Sequence, residues 1–210
     1  MSIVFIISAP SGSGKSTLVN RLRESDTSLV FSTSVTTRSP RVGEIDGDAY
    51  DFVSIEKFNE MRDSGELLES AEVFGNFYGT PRSALERARQ NGKDLILDID
   101  VQGAAQLRET LPDAVTIFIL PPSRQVLEQR LRDRSSDSDE VIERRLSEAA
   151  GEVGNYEAYE YVLVNDELDA SAKQLYGILL AERARRQYVS EKIDPILKSF
   201  ERTEANEATN

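Results

Sequence analysis

The run Ala9-Pro10-Ser11-Gly12-Ser13-Gly14-Lys15-Ser16-Thr17 has the make-up of a phosphate cradle. Small residues let backbone N–H groups turn inward around phosphate oxygens, and a helix starting at Lys15 adds partial positive charge at the same place. Lys15 would reach the outer phosphates, and the Ser16 hydroxyl would ligate Mg²⁺. The pattern reads A-x-x-x-x-G-K-S. Ala9 stands where the first glycine is usual, and it asks only for an ordinary φ. The setting matters as much as the loop: an apolar stretch, Ile3 to Ile7, precedes it, and Leu18, Val19 and Leu22 follow at helical spacing. A plain strand–turn–helix corner with a surface lysine is the alternative.

Three further groups could do chemistry. In Leu95-Ile96-Leu97-Asp98-Ile99-Asp100 the two acids share one strand face at its carboxyl end, where open α/β sheets place ligands. They could hold Mg²⁺ or its waters, or orient the loop lysine; otherwise they end a strand, with Asp100 capping the next helix. In Thr36-Thr37-Arg38-Ser39-Pro40-Arg41 two arginines in a rigid loop could clamp an anion, though a solvated basic turn carries the same pair. Alternation from Glu66 to Val73 puts Glu69 on the face of Leu67, Ala71 and Val73, where a carboxylate needs a partner. Guanine supplies one, because N1–H and the N2 amine are adjacent donors that adenine lacks. A buried ion pair or an edge-strand acid would explain the same residue.

Composition narrows the chemistry. The chain has 210 residues, no cysteine and no histidine. Disulfides, thiolate or imidazole metal sites, and Ser–His–Asp hydrolysis are therefore outside its reach. Phosphoryl transfer survives, because it rests on positioning and charge neutralisation, and a phosphate acceptor barely needs a base. A net charge of −12 argues against nucleic acid or an anionic membrane as a partner. An anionic substrate would need a local cationic cluster. The first residues lack a basic signal-peptide region, and no stretch has the length of a membrane span, so a soluble cytoplasmic protein is expected.

Elements to position these groups can be read in order. A helix is expected from Lys15 to Glu24, a β-branched strand from Val30 to Thr37, a short strand from Tyr50 to Val53 and a helix from Ser54 to Ser64-Gly65. Glu66 to Phe74 reads as a strand, Gly75-Asn76 as a turn and Phe77 to Gly79 as its return, with Thr80-Pro81 opening a helix to Asn91-Gly92. Leu95 to Ile99 and Val115 to Leu120 are continuous apolar strands, with a helix from Val101 to Thr110 between them. Ser123 caps a helix to Arg134, Ser135 to Asp139 breaks it, and a second helix covers Glu140 to Ala158. Tyr161 to Val164 is the last strand, and Leu168 to Leu179 the last helical stripe. Strands near residues 3, 95, 115 and 161 alternate with helices, which predicts a P-loop α/β core with a parallel sheet flanked by helices. Residues 30–80 read as an inserted antiparallel α+β lobe, and Glu201 to Asn210 as a disordered tail.

Taken in order, S-A-P-S-G-S-G-K-S-T, S-V-T-T-R-S-P-R-x-G-E, Y-D-F-V, L-E-S-A-E-V-F-G-N-F-Y-G-T, L-I-L-D-I-D-V-Q-G, I-F-I-L-P-P-S and V-N-D resemble guanylate kinase over about residues 3 to 190. The resemblance implies ATP-dependent phosphorylation of GMP, and of dGMP, with Mg²⁺. It implies one domain over 1–200, with core segments 1–29, 81–120 and 159–197, a GMP-binding lobe at 30–80 and a helical lid at 121–158. ATP would lie on Ser11, Gly12, Ser13, Gly14, Lys15, Ser16 and Thr17, with Asn165 near the adenine. Arg38, Arg41, Tyr50 and Tyr78 would hold the GMP phosphate, and Ser34, Glu69 and Thr80 would read the guanine. Asp98 and Asp100 match acids near Mg²⁺ and the acceptor, Asp98 joining Ser16 as a metal ligand. Arg130, Arg134 and Arg145 lie in the lid segment whose arginines reach the transferred phosphoryl group, with Lys15 and Arg38 as further catalytic cations. Surface pairing with Glu128, Asp133, Asp137, Asp139, Glu140 and Glu143 would also explain those lid arginines. The nearest alternative is a catalytically inactive guanylate-kinase-like module that binds phosphopeptides. Such modules usually lose the loop lysine and serine, which this chain keeps as Lys15 and Ser16. Oligomeric state is not legible.

Overall fold

Five strands build the centre of the molecule, the middle three apolar and covered on both faces and the two edge strands partly open to water. The computed structural model describes residues 2–41, 43–73, 75–134 and 138–207, with backbone only for Arg134 and residues 201–207. In chain order the elements are β1 (Val4–Ser8), α1 (Lys15–Ser25), β2 (Leu29–Phe31), β3 (Ser34–Thr36), β4 (Tyr50–Phe52), α2 (Ile55–Asp63), β5 (Leu67–Val73) and β6 (Asn76–Pro81). There follow α3 (Arg82–Gln90), β7 (Asp94–Asp98), α4 (Val101–Thr110), β8 (Val115–Leu120), α5 (Arg124–Arg134) and α6 (Asp139–Val153). A 3-10 turn (Gly154–Ala158), β9 (Tyr161–Val164), α7 (Leu168–Arg183) and α8 (Arg186–Glu207) complete it.

The larger sheet has the order β2-β7-β1-β8-β9, and all its pairings are parallel. Its faces feed two cores. On one, Leu18, Val19 and Leu22 of α1 and Leu175 and Leu179 of α7 meet Phe5, Ile7 and Ile117. On the other, Ala84 and Leu85 of α3 and Ala104 and Leu107 of α4 meet Ile6, Leu97 and Phe118. Burial of this kind contributes about 2 kcal/mol per large aliphatic side chain, which is why continuous apolar strands end up covered on both faces. A separate cluster of Leu127, Leu131, Ile142, Leu146 and Ala149 holds α5 to α6.

The smaller sheet has the order β4-β3-β6-β5. It is mixed rather than antiparallel throughout, since β3 and β4 run parallel while β6 is antiparallel to both β3 and β5. One face packs on α2 through Val35, Phe58 and Leu67. Ser54 caps α2 by accepting from the Lys57 N–H at 3.2 Å.

Several expectations need correction. The strand expected from Val30 to Thr37 is two: β2 pairs with β7 in the larger sheet, and β3 starts the smaller one. A β-branched run favours strand but carries no preference for which sheet it joins. Thr80 and Pro81 belong to β6, with Pro81 as the N-cap of α3 rather than its first turn. Alternation grouped Leu67 with Glu69, but a bulge between them breaks the register, so Leu67 faces Pro81 and Glu69 faces Thr80. Leu67 therefore joins the α2 cluster, Leu68 joins the main core, and Glu69 turns to the opposite face from Leu67. The helix expected over Glu140 to Ala158 ends as an α-helix at Val153 and tightens into the 3-10 turn. Helix α8 was not expected, and its backbone continues to Glu207, into the segment read as a tail; Val42, Phe74, Ser135 to Asp137 and residues 208–210 lie outside the described residues.

Candidate active site

The carboxyl ends of β1 and β7 open on a cavity of about 510 Å³ whose other wall is the outward face of the smaller sheet. Loop Ala9 to Gly14 forms its floor. Gly12 and Gly14 adopt φ of 89° and 91°, a region costly for side-chain-bearing residues. Both are also pressed from outside. A Cβ at Gly12 would lie 2.8 Å from Leu131 Cδ2, and one at Gly14 would lie 2.3 Å from Asn165 Nδ2. The loop is thus tight because α5 and the turn after β9 pack directly against it.

Lys15 opens α1 and lines the cavity with Ser16. Its ammonium donates to the Ile99 carbonyl at 2.7 Å and pairs with Asp98 Oδ1 at 2.5 Å. Burial by itself pulls the lysine's pKa down, but the Asp98 carboxylate outweighs it, with Tyr50 and Asp100 adding to the rise, and the net shift is upward. Asp98 and Asp100 both line the cavity. Asp100 also caps α4, accepting from the Gly103 N–H at 2.7 Å, so this acid caps a helix and lines the cavity at once.

The smaller sheet contributes its own face. Period-two alternation and the pairings Ser34↔Tyr50, Thr36↔Tyr78 and Glu69↔Thr80 put Ser34, Tyr50, Tyr78, Thr80 and Glu69 on one side. Glu69 is 6% exposed, and Thr80 Oγ1 donates to its Oε1 at 2.7 Å. Burial pushes the Glu69 carboxyl up, to about 7; the Thr80 hydrogen bond works against this and the nearby Asp100 charge adds to it. Burial likewise raises the Tyr50 hydroxyl. Arg38 lies over the Tyr50 ring, 5.2 Å from its centroid, and Tyr50 meets Tyr78 edge-on. Arg41 lines the same end of the cavity.

Of the other expected residues, Asn165 and Arg130 lie outside the cavity lining. Asn165 is 4% exposed; its Nδ2 donates to the Ser13 carbonyl at 2.8 Å, and its Oδ1 is buried without a hydrogen-bond partner among the described residues. Arg130 donates to the Asn165 and Asp166 carbonyls at 2.9 and 3.3 Å. Arg145 reaches across from α6 to donate to Ser11 Oγ at 3.1 Å and lines the cavity. Thr17 is exposed, beside the loop but outside the cavity lining. The Arg134 backbone ends α5, and its side chain lies outside what is described.

Two residues of the site were missed by sequence reasoning. Glu44 takes Arg38 in a two-pronged pair, both bonds at 2.9 Å, and accepts from the Arg41 N–H at 2.7 Å. The hydrogen bond from Arg38 holds the Glu44 carboxyl below the usual range. An acid three residues after a candidate anion-binding arginine was the available signal. Glu152 lines the cavity from α6, and burial raises its carboxyl. Its spacing of seven from Arg145, which puts both on one helix face, was the clue.

A cleft with a glycine-rich phosphate loop at one end and a buried carboxylate at the other can hold two nucleotides end to end. A guanylate kinase family model matches residues 1–182. The guanylate kinase of Koribacter versatilis is 55% identical over 203 residues, 94% of this chain and 87% of that protein. That of Geobacter metallireducens is 49% identical over 191 residues, 91% of this chain and 94% of that protein. The crystal structure of guanylate kinase from Anaplasma phagocytophilum superposes with a TM-score of 0.77 at 38% identity, covering 92% of this chain and 94% of that one. With a family model spanning most of its length and relatives at this identity, the chain belongs to the guanylate kinase family.

Proposed function

We propose that the protein transfers the γ-phosphoryl group of ATP to GMP, giving ADP and GDP, with dGMP as a second acceptor. The observation that carries this reading is Glu69. A carboxylate 6% exposed lines the same cavity as Lys15, and among the described residues Thr80 bonds to it through its hydroxyl and its backbone, with no cation paired to it. Guanine offers it two adjacent N–H donors and adenine none, so the buried acceptor discriminates between the purines.

The other roles follow by position. ATP phosphates rest on the N–H groups of Ser11 to Lys15, and Lys15 leaves Asp98 to meet the transferred group. Asn165 holds the loop from behind. Ser34 and Thr80 flank the guanine, and Arg38, Arg41, Tyr50 and Tyr78 take the acceptor phosphate; Glu44 and the Tyr50 ring hold the Arg38 fork in place before substrate arrives. Arg145 is the α6 cation already at the loop, and Arg130 and Arg134 lie on the α5 helix beside it. Closure of α5–α6 and the smaller sheet over the nucleotides excludes water, which would otherwise compete as acceptor.

The residues present fit Mg²⁺. Among the described residues no cluster of three or more acids stands ready to hold a metal by itself. Mg²⁺ needs less, since it keeps waters and binds through phosphates, and Ser16 and Asp98 supply hard oxygens at the phosphate end of the cavity. When bound there it neutralises charge on phosphate oxygens.

The test is ADP release, coupled to an optical readout, with GMP, dGMP, AMP, CMP and UMP as acceptors. GMP should give the highest kcat/KM by at least about 100-fold over AMP. No turnover with any acceptor, or preference for a non-guanine base, would overturn the proposal.

A further inference from the structure

Gly103 stands in the first turn of α4, where glycine weakens a helix relative to alanine. Its φ lies outside the left-handed region, so backbone freedom does not account for it. Space does. A Cβ at this position would lie 2.5 Å from Glu69 Oε2, 3.0 Å from Glu69 Cδ and 3.5 Å from Asp100 Oδ1. Real Cβ atoms do not approach an oxygen so closely, so one of the two partners would have to give way.

The helix is poorly placed to do so. Gln106 Nε2 donates to the Ser70 carbonyl at 2.7 Å while its Oε1 accepts from the Ser70 N–H at 3.2 Å. Gln102 Nε2 donates to the Glu72 carbonyl at 3.3 Å. These bonds fasten α4 along the outer edge of β5 at the two positions Ser70 and Glu72 just beyond Glu69, where among the described residues the strand pairs only with β6. Ala104 and Leu107, both fully buried, anchor the other face of the helix in the main core. The Gly103 N–H is itself held by Asp100. The yielding part is therefore the Glu69 carboxylate, and moving it breaks the geometry set by Thr80.

We propose that Gly103 is a positioning residue for base recognition: its missing side chain is the slot in which Glu69 Oε2 rests, and this slot sets where the carboxylate meets the guanine. The inference rests on the reading of Glu69 as the acceptor of guanine's donors. A methyl group in the slot pushes the carboxylate off α4 and along the base, which lengthens or bends hydrogen bonds that need both distance and angle.

The test is Gly103→Ala, measured with each substrate varied in turn. KM for GMP should rise about tenfold or more, with KM for ATP within about twofold and kcat at saturating GMP within about threefold. The second variant is Glu69→Asp, which withdraws the carboxylate by one methylene and empties the slot. In that background Gly103→Ala should change GMP affinity by less than about twofold, a coupling that a general loosening of α4 would not produce. Should Gly103→Ala alone fail to fold, Glu69→Asp should restore a cooperative melt to the double variant. An unchanged KM for GMP, an equal effect in both backgrounds, or no restoration of folding would overturn the assignment. A parent enzyme that prefers AMP would instead overturn the reading of Glu69, so the two failures are distinguishable.

Discussion

Lys15 and Asp98 form an ion pair across 2.5 Å, with the lysine side chain 19% exposed and its ammonium also bound to the Ile99 carbonyl. The pair exists because β1 and β7 are parallel neighbours, with Ile7 in register with Asp98. The residue after the phosphate loop on one strand then meets the acid ending the other. The lysine is parked beside the position it is proposed to serve, charged at neutral pH.

Lys15→Ala should lower kcat by about 1,000-fold, the upper range for losing a cation aimed at developing charge. GMP affinity by calorimetry should stay within about twofold, because Lys15 is proposed to touch ATP phosphates only. Asp98→Asn frees Lys15 but removes a carboxylate from the site, and kcat should fall by about 100-fold. An equal loss of GMP affinity in Lys15→Ala would contradict the separation of the two nucleotide ends.

With Glu69 as the proposed acceptor of guanine's donors, GMP binding should depend on pH. Burial pushes its carboxyl up to about 7, and guanine's donors need the ionised form. Affinity should rise with pH through neutrality and level off above about 8, with protons released on binding below that point. The GMP phosphate titrates nearby, so the comparison is with Glu69→Gln at each pH. That variant should bind GMP about 100-fold more weakly above pH 8, and the gap should close as the pH falls. Calorimetry from pH 5.5 to 8.5 in buffers of differing ionisation enthalpy checks both.

The same group has a stability signature of opposite use. A carboxyl whose pKa is raised on folding contributes stability below its ordinary value of 4.5 and loses it as pH rises through about 7. The span is about 3 kcal/mol. Glu69→Gln keeps an acceptor for Thr80 and removes the charge, so it should melt at or above the parent temperature at pH 8. Destabilisation there would mean that the ionised carboxylate is better solvated than its burial implies.

Asn165 should act on ATP alone. Its amide holds the Ser13 carbonyl, and its side chain fills the space over Gly14. Asn165→Ala should cost about 1–2 kcal/mol in urea unfolding and raise KM for ATP more than KM for GMP. A selective effect on GMP would remove it from the loop's support.

Local features were legible in the sequence, and long-range ones were not. The phosphate loop, the strands Val115–Leu120 and Tyr161–Val164, and the cap at Ser54 each depend on residues within one turn or one strand. The division of Val30 to Thr37 between two sheets does not, because it is decided by whether Ile96 or Tyr78 lies alongside. The bulge that turns Glu69 away from Leu67 inverted one face of the reading while leaving the acid itself identifiable. Helix α8, which was not expected, runs through Pro195. The slot at Gly103 and the glutamines that fix it join residues thirty or more positions apart, and nothing in their local pattern announces the contact.

In the proposed function, a guanine base and a phosphate loop face each other within one cavity. A crystal structure of the chain with GMP tests it most directly. Guanine N1 and N2 should lie within hydrogen-bonding distance of the Glu69 carboxylate, with the phosphate between Arg38, Arg41 and Tyr78 and pointing toward Lys15. A base bound elsewhere, or turned so that Glu69 meets neither nitrogen, would contradict it.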